Sequence, residues 1–234
     1  MAIFDLNNSS PESIDSSYDY LIIGAGPAGI TAALSLIETG KRIAILEAGD
    51  REYSKSSQDY YDGEVEGDNY FSLRDCRLRM LGGTSNHWNG WCRELDAFDF
   101  EKKLGSKLFE WPIEKGDLAP YMSYAKEILN LNYQTTTTKL NKNLNQLTWD
   151  WSRPVTLFGE KYFKVLRDSK NISLFLNANF QYFKYGDAIE GAIVRSQNGS
   201  FFTFRSSYYA LATGGIENTK NLLYSNHINE EKFI

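Results

Sequence analysis

Gly24, Gly26 and Gly29 stand in the run GAGPAG, and the carboxylate of Glu47 follows 18 positions after the last of them. Residues of these types at this spacing suit the binding of a dinucleotide. Gly24 permits a tight turn, Gly26 lets the backbone come close to a pyrophosphate, and Gly29 lets a helix lie against the preceding strand. The anion would rest on free amides at the N-terminus of that helix, and Glu47 would accept from ribose hydroxyls.

A second stretch, RLRMLGGTSNHWNGWCREL from Arg77 to Leu95, sets Gly82 and Gly83 beside Ser85, Asn86, His87 and Asn89, with Trp88 and Trp91 between them. Hydrogen-bonding groups interleaved with large rings suit the edge and face of an aromatic cofactor. A glycine turn leading into a tryptophan-rich core has the same composition, so these residues leave both readings open. Gly214-Gly215 also reads two ways, as another close backbone approach or as a plain strand-to-helix turn. Metal chemistry has little to work with. His87 and His227 are the only histidines, and Cys76 and Cys92 the only cysteines, without ligand spacing or a disulfide framework.

The elements that would position these residues follow from hydrophobic period. Tyr20 to Ile23 is an apolar run suited to a parallel strand buried on both faces, and it ends at Gly24. From Pro27 the period turns helical, with Ile30, Ala33, Leu34 and Ile37 on one face and Gly40 as the stop; Arg42 to Leu46 is a second strand. Residues 1–17 lack any period and read as a mobile leader. Arg51 to Arg79 is irregular, and so long a segment is usually functional. Trp111-Pro112-Ile113 is a turn, Leu118 to Leu131 an amphipathic helix capped by Asp117, and Thr135 to Gln146 a solvated loop. Tyr162 to Leu166 lies in a helix and Ile172 to Leu176 in a strand. Phe180 to Lys184, Ala188 to Arg195 and Ser200 to Arg205 form a three-stranded meander. Tyr208 to Thr213 is then a separate returning strand, followed by a helix containing Ile216, Leu222 and Leu223.

The chain has 234 residues, enough for one good core or one domain with a sizeable insertion. Its net charge of -5 and the lack of a basic block argue against a nucleic-acid partner. No apolar run is long enough to span a bilayer and no secretion signal is visible, so the expected location is cytoplasmic. The order of nucleotide unit, long insertion, meander and returning strand fits poorly with a simple NAD-dependent dehydrogenase, whose βαβ units follow closely. It suits a flavoprotein.

DYLIIGAGPAG with Glu47, RMLGGTSNHWNGWCRELDAFDF, WPIEKGDLAPY and ALATGGIENTKNLL together resemble the glucose-methanol-choline oxidoreductases. The second motif looks most like the branch of pyranose oxidase and related sugar and polyol dehydrogenases. The resemblance implies an α/β fold: a Rossmann-like FAD-binding domain with a parallel sheet, an inserted β-meander and a partial insertion, the C-terminal substrate domain being absent. The boundaries expected are the leader at 1–17 and the FAD-binding domain at 18–234. Within the latter lie the βαβ nucleotide unit at 18–50, an insertion with the flavin-contacting loop at 51–170, and the meander, strand and helix at 171–234.

The resemblance further implies FAD as cofactor. Gly24, Gly26 and Gly29 would hold the pyrophosphate, Glu47 the adenosine ribose, Gly82, Gly83, Asn86 and His87 the flavin region, and Asn179 and Phe180 the adenine side. Pro27, Ala28, Ala48, Arg79, Ala212 and Gly214 would be further cofactor-binding residues. A histidine placed like His87 can be joined covalently to flavin in that branch; packing beside the ring is the alternative, and the one favoured here. The implied reaction removes hydride from an alcohol or sugar carbon to flavin N5, with a base taking the hydroxyl proton. His227 is not in the family's catalytic motif, so no catalytic base is named, and neither the substrate nor the electron acceptor is specified. The chain is therefore expected to be a catalytically incomplete N-terminal portion that binds FAD weakly or folds poorly. Alternatives are a non-catalytic FAD-binding fragment, half of a split enzyme completed by a second polypeptide, and a flavin monooxygenase.

Overall fold

Leu21, Ile22 and Ile23, and all four residues of Ile43–Leu46, are buried, as expected of parallel strands covered on both faces. The computed structural model describes residues 2–101, 111–132 and 134–230. Met1 of the expected leader, residues 102–110 and Tyr133 of the expected insertion, and residues 231–234 lie outside them. In chain order the elements begin β1 (Ala2–Asp5), β2 (Ser17–Ile23), α1 (Pro27–Leu36), β3 (Ile43–Leu46), α2 (Lys55–Gln58) and β4 (Trp91–Cys92). They continue through α3 (Lys115–Leu118), α4 (Met122–Ile128), β5 (Thr137–Lys139), β6 (Asn145–Leu147) and β7 (Asp150–Trp151). The last are α5 (Phe158–Asp168), β8 (Ile172–Leu176), β9 (Asn179–Tyr185), β10 (Ile189–Arg195), β11 (Phe201–Leu211) and α6 (Gly215–Ile228).

Two units divide the chain, one of residues 1–87 and 157–234 and the other of residues 88–156. The second unit is narrower than the insertion expected at 51–170, because the segments on either side of it pack with the first. The first unit is built on a seven-stranded sheet of order β1-β8-β3-β2-β11-β10-β9. The pairs from β1 to β11 are parallel, and the last two pairs are antiparallel. The strand joining the two parts is β11. Phe201 to Phe204 pair with β10, and Arg205 to Leu211 pair with β2. The expected third meander strand and returning strand are thus one strand. Ser206-Ser207 reads as a break by polarity, but it contains neither glycine nor proline and continues in the ladder.

The expected mobile leader is corrected too. Ala2 to Asp5 pair in parallel with Ser173 to Leu176, Phe4 stacks on Phe175 at 4.9 Å, and Leu6 is fully buried. Phe4, Leu6 and Ile14 are too widely scattered among polar residues to show a period, yet each packs in the sheet's core. That core gathers Phe4, Leu6, Tyr18, Phe175 and Phe204, with Phe175 edge-on to Phe204 at 4.8 Å.

In the second unit, the expected helix at 118–131 is two shorter ones, α3 and α4, joined by a tight turn at Ala119–Tyr121. Glu114 is the N-cap of α3, and Asp117 answers it as the third residue of a capping box rather than being the cap. The expected loop at 135–146 carries an exposed hairpin, β5 against β6. Trp91 stacks on Trp151 at 5.4 Å and Trp88 Nε1 donates to Thr156 O at 2.9 Å, so these rings are occupied within their own unit. None of the helices among the described residues is long and apolar enough to cross a membrane.

Candidate functional site

The site lies in the first unit, where β2 runs into Gly24. Gly24 has φ +105°, and a Cβ there would meet Ala212 O at 2.5 Å, so β11 allows no side chain at this turn. At Gly29 a Cβ would lie 1.9 Å from Gly24 O, which is the close strand–helix packing expected of it. Gly26 differs. Its surroundings are empty of protein atoms within 4 Å of a Cβ, so its lack of a side chain serves space rather than folding. Gly26 is the N-cap of α1 and Pro27 takes the first helical position, which leaves the helix's first amides facing that space.

The second glycine turn meets the first directly. Gly82 N donates to Ala25 O at 2.8 Å, and a Cβ on Gly83 would lie 3.2 Å from Gly26 Cα. Asn86 shapes this turn by donating from Nδ2 to Leu81 O and Gly83 O at 2.9 and 2.8 Å. Gly159 of α5 supports it from behind, since a Cβ there would lie 2.4 Å from Leu81 O. The signal for Gly159 was available: glycine inside a helix is unfavourable unless a backbone passes close by.

Between these turns opens a cleft of about 930 Å³, within the roughly 300–1,000 Å³ range of cofactor and ligand sites. Gly24, Gly26, Pro27 and Ala28 line it from the first turn, and Glu47, Ala48 and Arg79 from beyond β3. Gly83, Asn179, Phe180, Ala212 and Gly214 line it as well. Gly29, Gly82, Asn86 and His87 are not among the described lining residues: the first three shape the backbone behind it, and His87 is exposed at the end of the second turn.

Glu47 is buried, its Oε2 accepting from Ala25 N at 3.0 Å and its Oε1 from Gly49 N at 2.9 Å. Burial pushes its carboxyl above the ordinary value, and the Gly49 and Ala25 amides oppose the rise. Glu47 thus holds the glycine turn and also lines the cleft. Arg79, 5% exposed, donates to Ala48 O at 3.1 Å, Ser57 Oγ at 2.8 Å and Asn179 Oδ1 at 2.7 Å. Burial lowers its pKa, but a guanidinium stays charged at neutral pH. Its backbone N–H donates to Gln58 Oε1 at 3.0 Å, and Gln58 Nε2 donates to Arg74 O and Arg77 O.

Several lining residues went unnoticed in the sequence. Tyr61 comes from the irregular segment, and burial, with Glu47 adding to it, pushes its hydroxyl up to about 12. Thr213 and Asn218 clamp the last glycine pair, Asn218 Oδ1 accepting from Thr213 N at 2.9 Å and from Thr213 Oγ1 at 2.7 Å. The threonine between Ala212 and Gly214 was the only hint. The described residues contain no cluster of His, Cys, Asp and Glu arranged to hold a metal ion.

Comparison with known proteins agrees with this geometry. Residues 19–69 match the model of a family described as an FAD binding domain. A 2-methyl-1,2-propanediol dehydrogenase of Mycolicibacterium austroafricanum is 29% identical over 125 residues, covering 44% of this chain and 22% of the relative. A cholesterol oxidase of Mycobacterium tuberculosis (strain CDC 1551 / Oshkosh) is 28% identical over 145 residues, covering 56% of this chain and 24% of the relative. The chain thus spans less than a quarter of the length of these curated relatives. Pyridoxine 4-oxidase from Mesorbium loti shares the fold with a TM-score of 0.52 at 17% identity, over 88% of this chain and 51% of that structure. Glycine turns, cleft and fold together are like those of the FAD-binding domain of flavoproteins, and the chain is similar to these relatives over part of its length.

Proposed function

We propose that the protein works as an FAD-dependent oxidoreductase on the CH–OH group of an alcohol or sugar. The observation that carries this reading is the direct packing of Gly83 against Gly26 at the edge of a cleft that neither glycine fills. The residues present suit the dinucleotide: open space and helix amides at Gly26 for a pyrophosphate, the Glu47 carboxylate for ribose, and the Asn179–Phe180 wall for adenine. When bound, FAD supplies the hydride acceptor. The chain's own residues orient it: Arg79 braces the Ala48–Asn179 side, and the Thr213–Asn218 clamp fixes the glycine pair opposite.

No histidine is among the described residues lining the cleft. In a narrower reading, the chain holds FAD and residues outside this cleft supply the proton-accepting base for an alcohol. The two free cysteines accord with a reducing, cytoplasmic setting. The test is to load the purified chain with FAD and follow reduction of an artificial electron acceptor with a panel of alcohols and sugars. Flavin retention without turnover is the expected result, and robust alcohol oxidation by the chain alone would contradict the narrower reading. NADPH-driven reduction of the flavin would instead point to a monooxygenase.

A further inference from the structure

Arg77 and Glu217 are 140 positions apart and form an ion pair, Arg77 Nη1 donating to Glu217 Oε1 at 2.9 Å. Their side chains are 16% and 14% exposed, so the pair is largely shielded from water, and both residues line the cleft. Arg77 also organises the chain before it. Its Nε donates to Leu73 O at 3.0 Å, and its guanidinium lies 4.0 Å from the centroid of the Tyr61 ring. Tyr61, Tyr70 and Phe71 of this irregular segment line the cleft, the last two largely exposed and edge-to-face with one another at 5.7 Å. Glu217 lies in the first turn of α6, beside the Gly214-Gly215 approach, and Lys220 Nζ reaches its other oxygen at 3.1 Å.

The pair therefore ties the aromatic wall of the cleft to its glycine wall. Opening it leaves the Arg77 guanidinium without its carboxylate and Glu217 with Lys220 alone, which is unfavourable for a shielded pair. We propose that the Arg77–Glu217 pair is a clasp that must open for the dinucleotide to enter or leave, so that its strength sets the rate of FAD exchange. The proposal rests on the FAD reading above. As a clasp, the pair acts through the position of the segment it holds and not by touching the ligand.

A gate and a ligand contact differ in kinetics. Loosening a gate speeds entry and exit together, whereas removing a contact speeds exit alone. The experiment measures FAD association and dissociation by flavin fluorescence in the full chain, its Glu217→Gln variant and the charge-swapped R77E/E217R variant. In Glu217→Gln both rates should rise roughly tenfold, as for a closure weakened by about 1.4 kcal/mol, with little change in Kd. The swapped variant should return both rates towards those of the parent chain. A rise in dissociation alone, or unchanged rates, would overturn the clasp. Failure of the parent chain to bind FAD would instead overturn the reading beneath it.

Discussion

Three glycines in one motif have three separate reasons to be glycine, and alanine substitution separates them. Gly24→Ala forces a side chain onto a backbone at φ +105° and into Ala212 O, so it should destabilise the fold by at least about 1–3 kcal/mol in urea unfolding. Gly26→Ala meets no protein atom within 4 Å, so its melting temperature should stay near that of the parent chain while FAD affinity falls at least tenfold by titration. Equal loss of stability in both variants would show that Gly26 is structural. Glu47 makes a prediction about pH. Its carboxyl is raised in the folded chain, so the native state holds that proton more tightly than the unfolded chain does. Stability from this source is present below the ordinary value of 4.5 and is lost as pH rises through the raised value. Glu47→Gln should flatten that segment of the stability–pH curve of the FAD-free protein; an unchanged slope would mean that another group titrates there. The glycines and Glu47 were legible because a strand–turn–helix with a carboxylate at the end of the next strand has a fixed spacing. The amides that Glu47 accepts from were not, since Gly49 reaches it only through the bend after β3.

Elements read well where a period ran long enough. Ile172–Leu176 was legible to the residue, and β2, α1 and β3 nearly so, because buried parallel strands and an amphipathic helix leave unbroken apolar patterns. Two misreadings share a cause, in that a tertiary partner decided what local pattern left open. Ser206-Ser207 stays in strand because β2 lies beside it, and Ala2–Asp5 becomes strand because β8 does. The turn just after the edge strand yields a direct prediction: Leu6→Ala should cost about 2–5 kcal/mol of unfolding free energy, as a fully buried leucine does. A change within about 0.5 kcal/mol, typical of surface positions, would restore the picture of residues 1–17 as a leader that contributes nothing to the fold.

For the whole molecule, the cleft is a product of chain return: segments near residues 25, 47, 79, 179 and 213 are brought together by one sheet. Sequence motifs marked four of these five neighbourhoods through glycine or acid spacing. Asn179 and Phe180 came only through family likeness, because a cleft wall needs shape rather than a particular residue type. The extent of the insertion was least legible, since nothing in composition marks His87 and Leu157 as the boundary between units. The central claim is that the two glycine turns, packed on one another, hold a single FAD. Thermal unfolding of the full chain across an FAD titration tests it most directly, because a ligand bound only by the folded state must raise the melting temperature with its concentration. At about 100 times Kd the rise should be roughly 5–10 °C for a chain of this size. A melting temperature that does not move in excess FAD would contradict it.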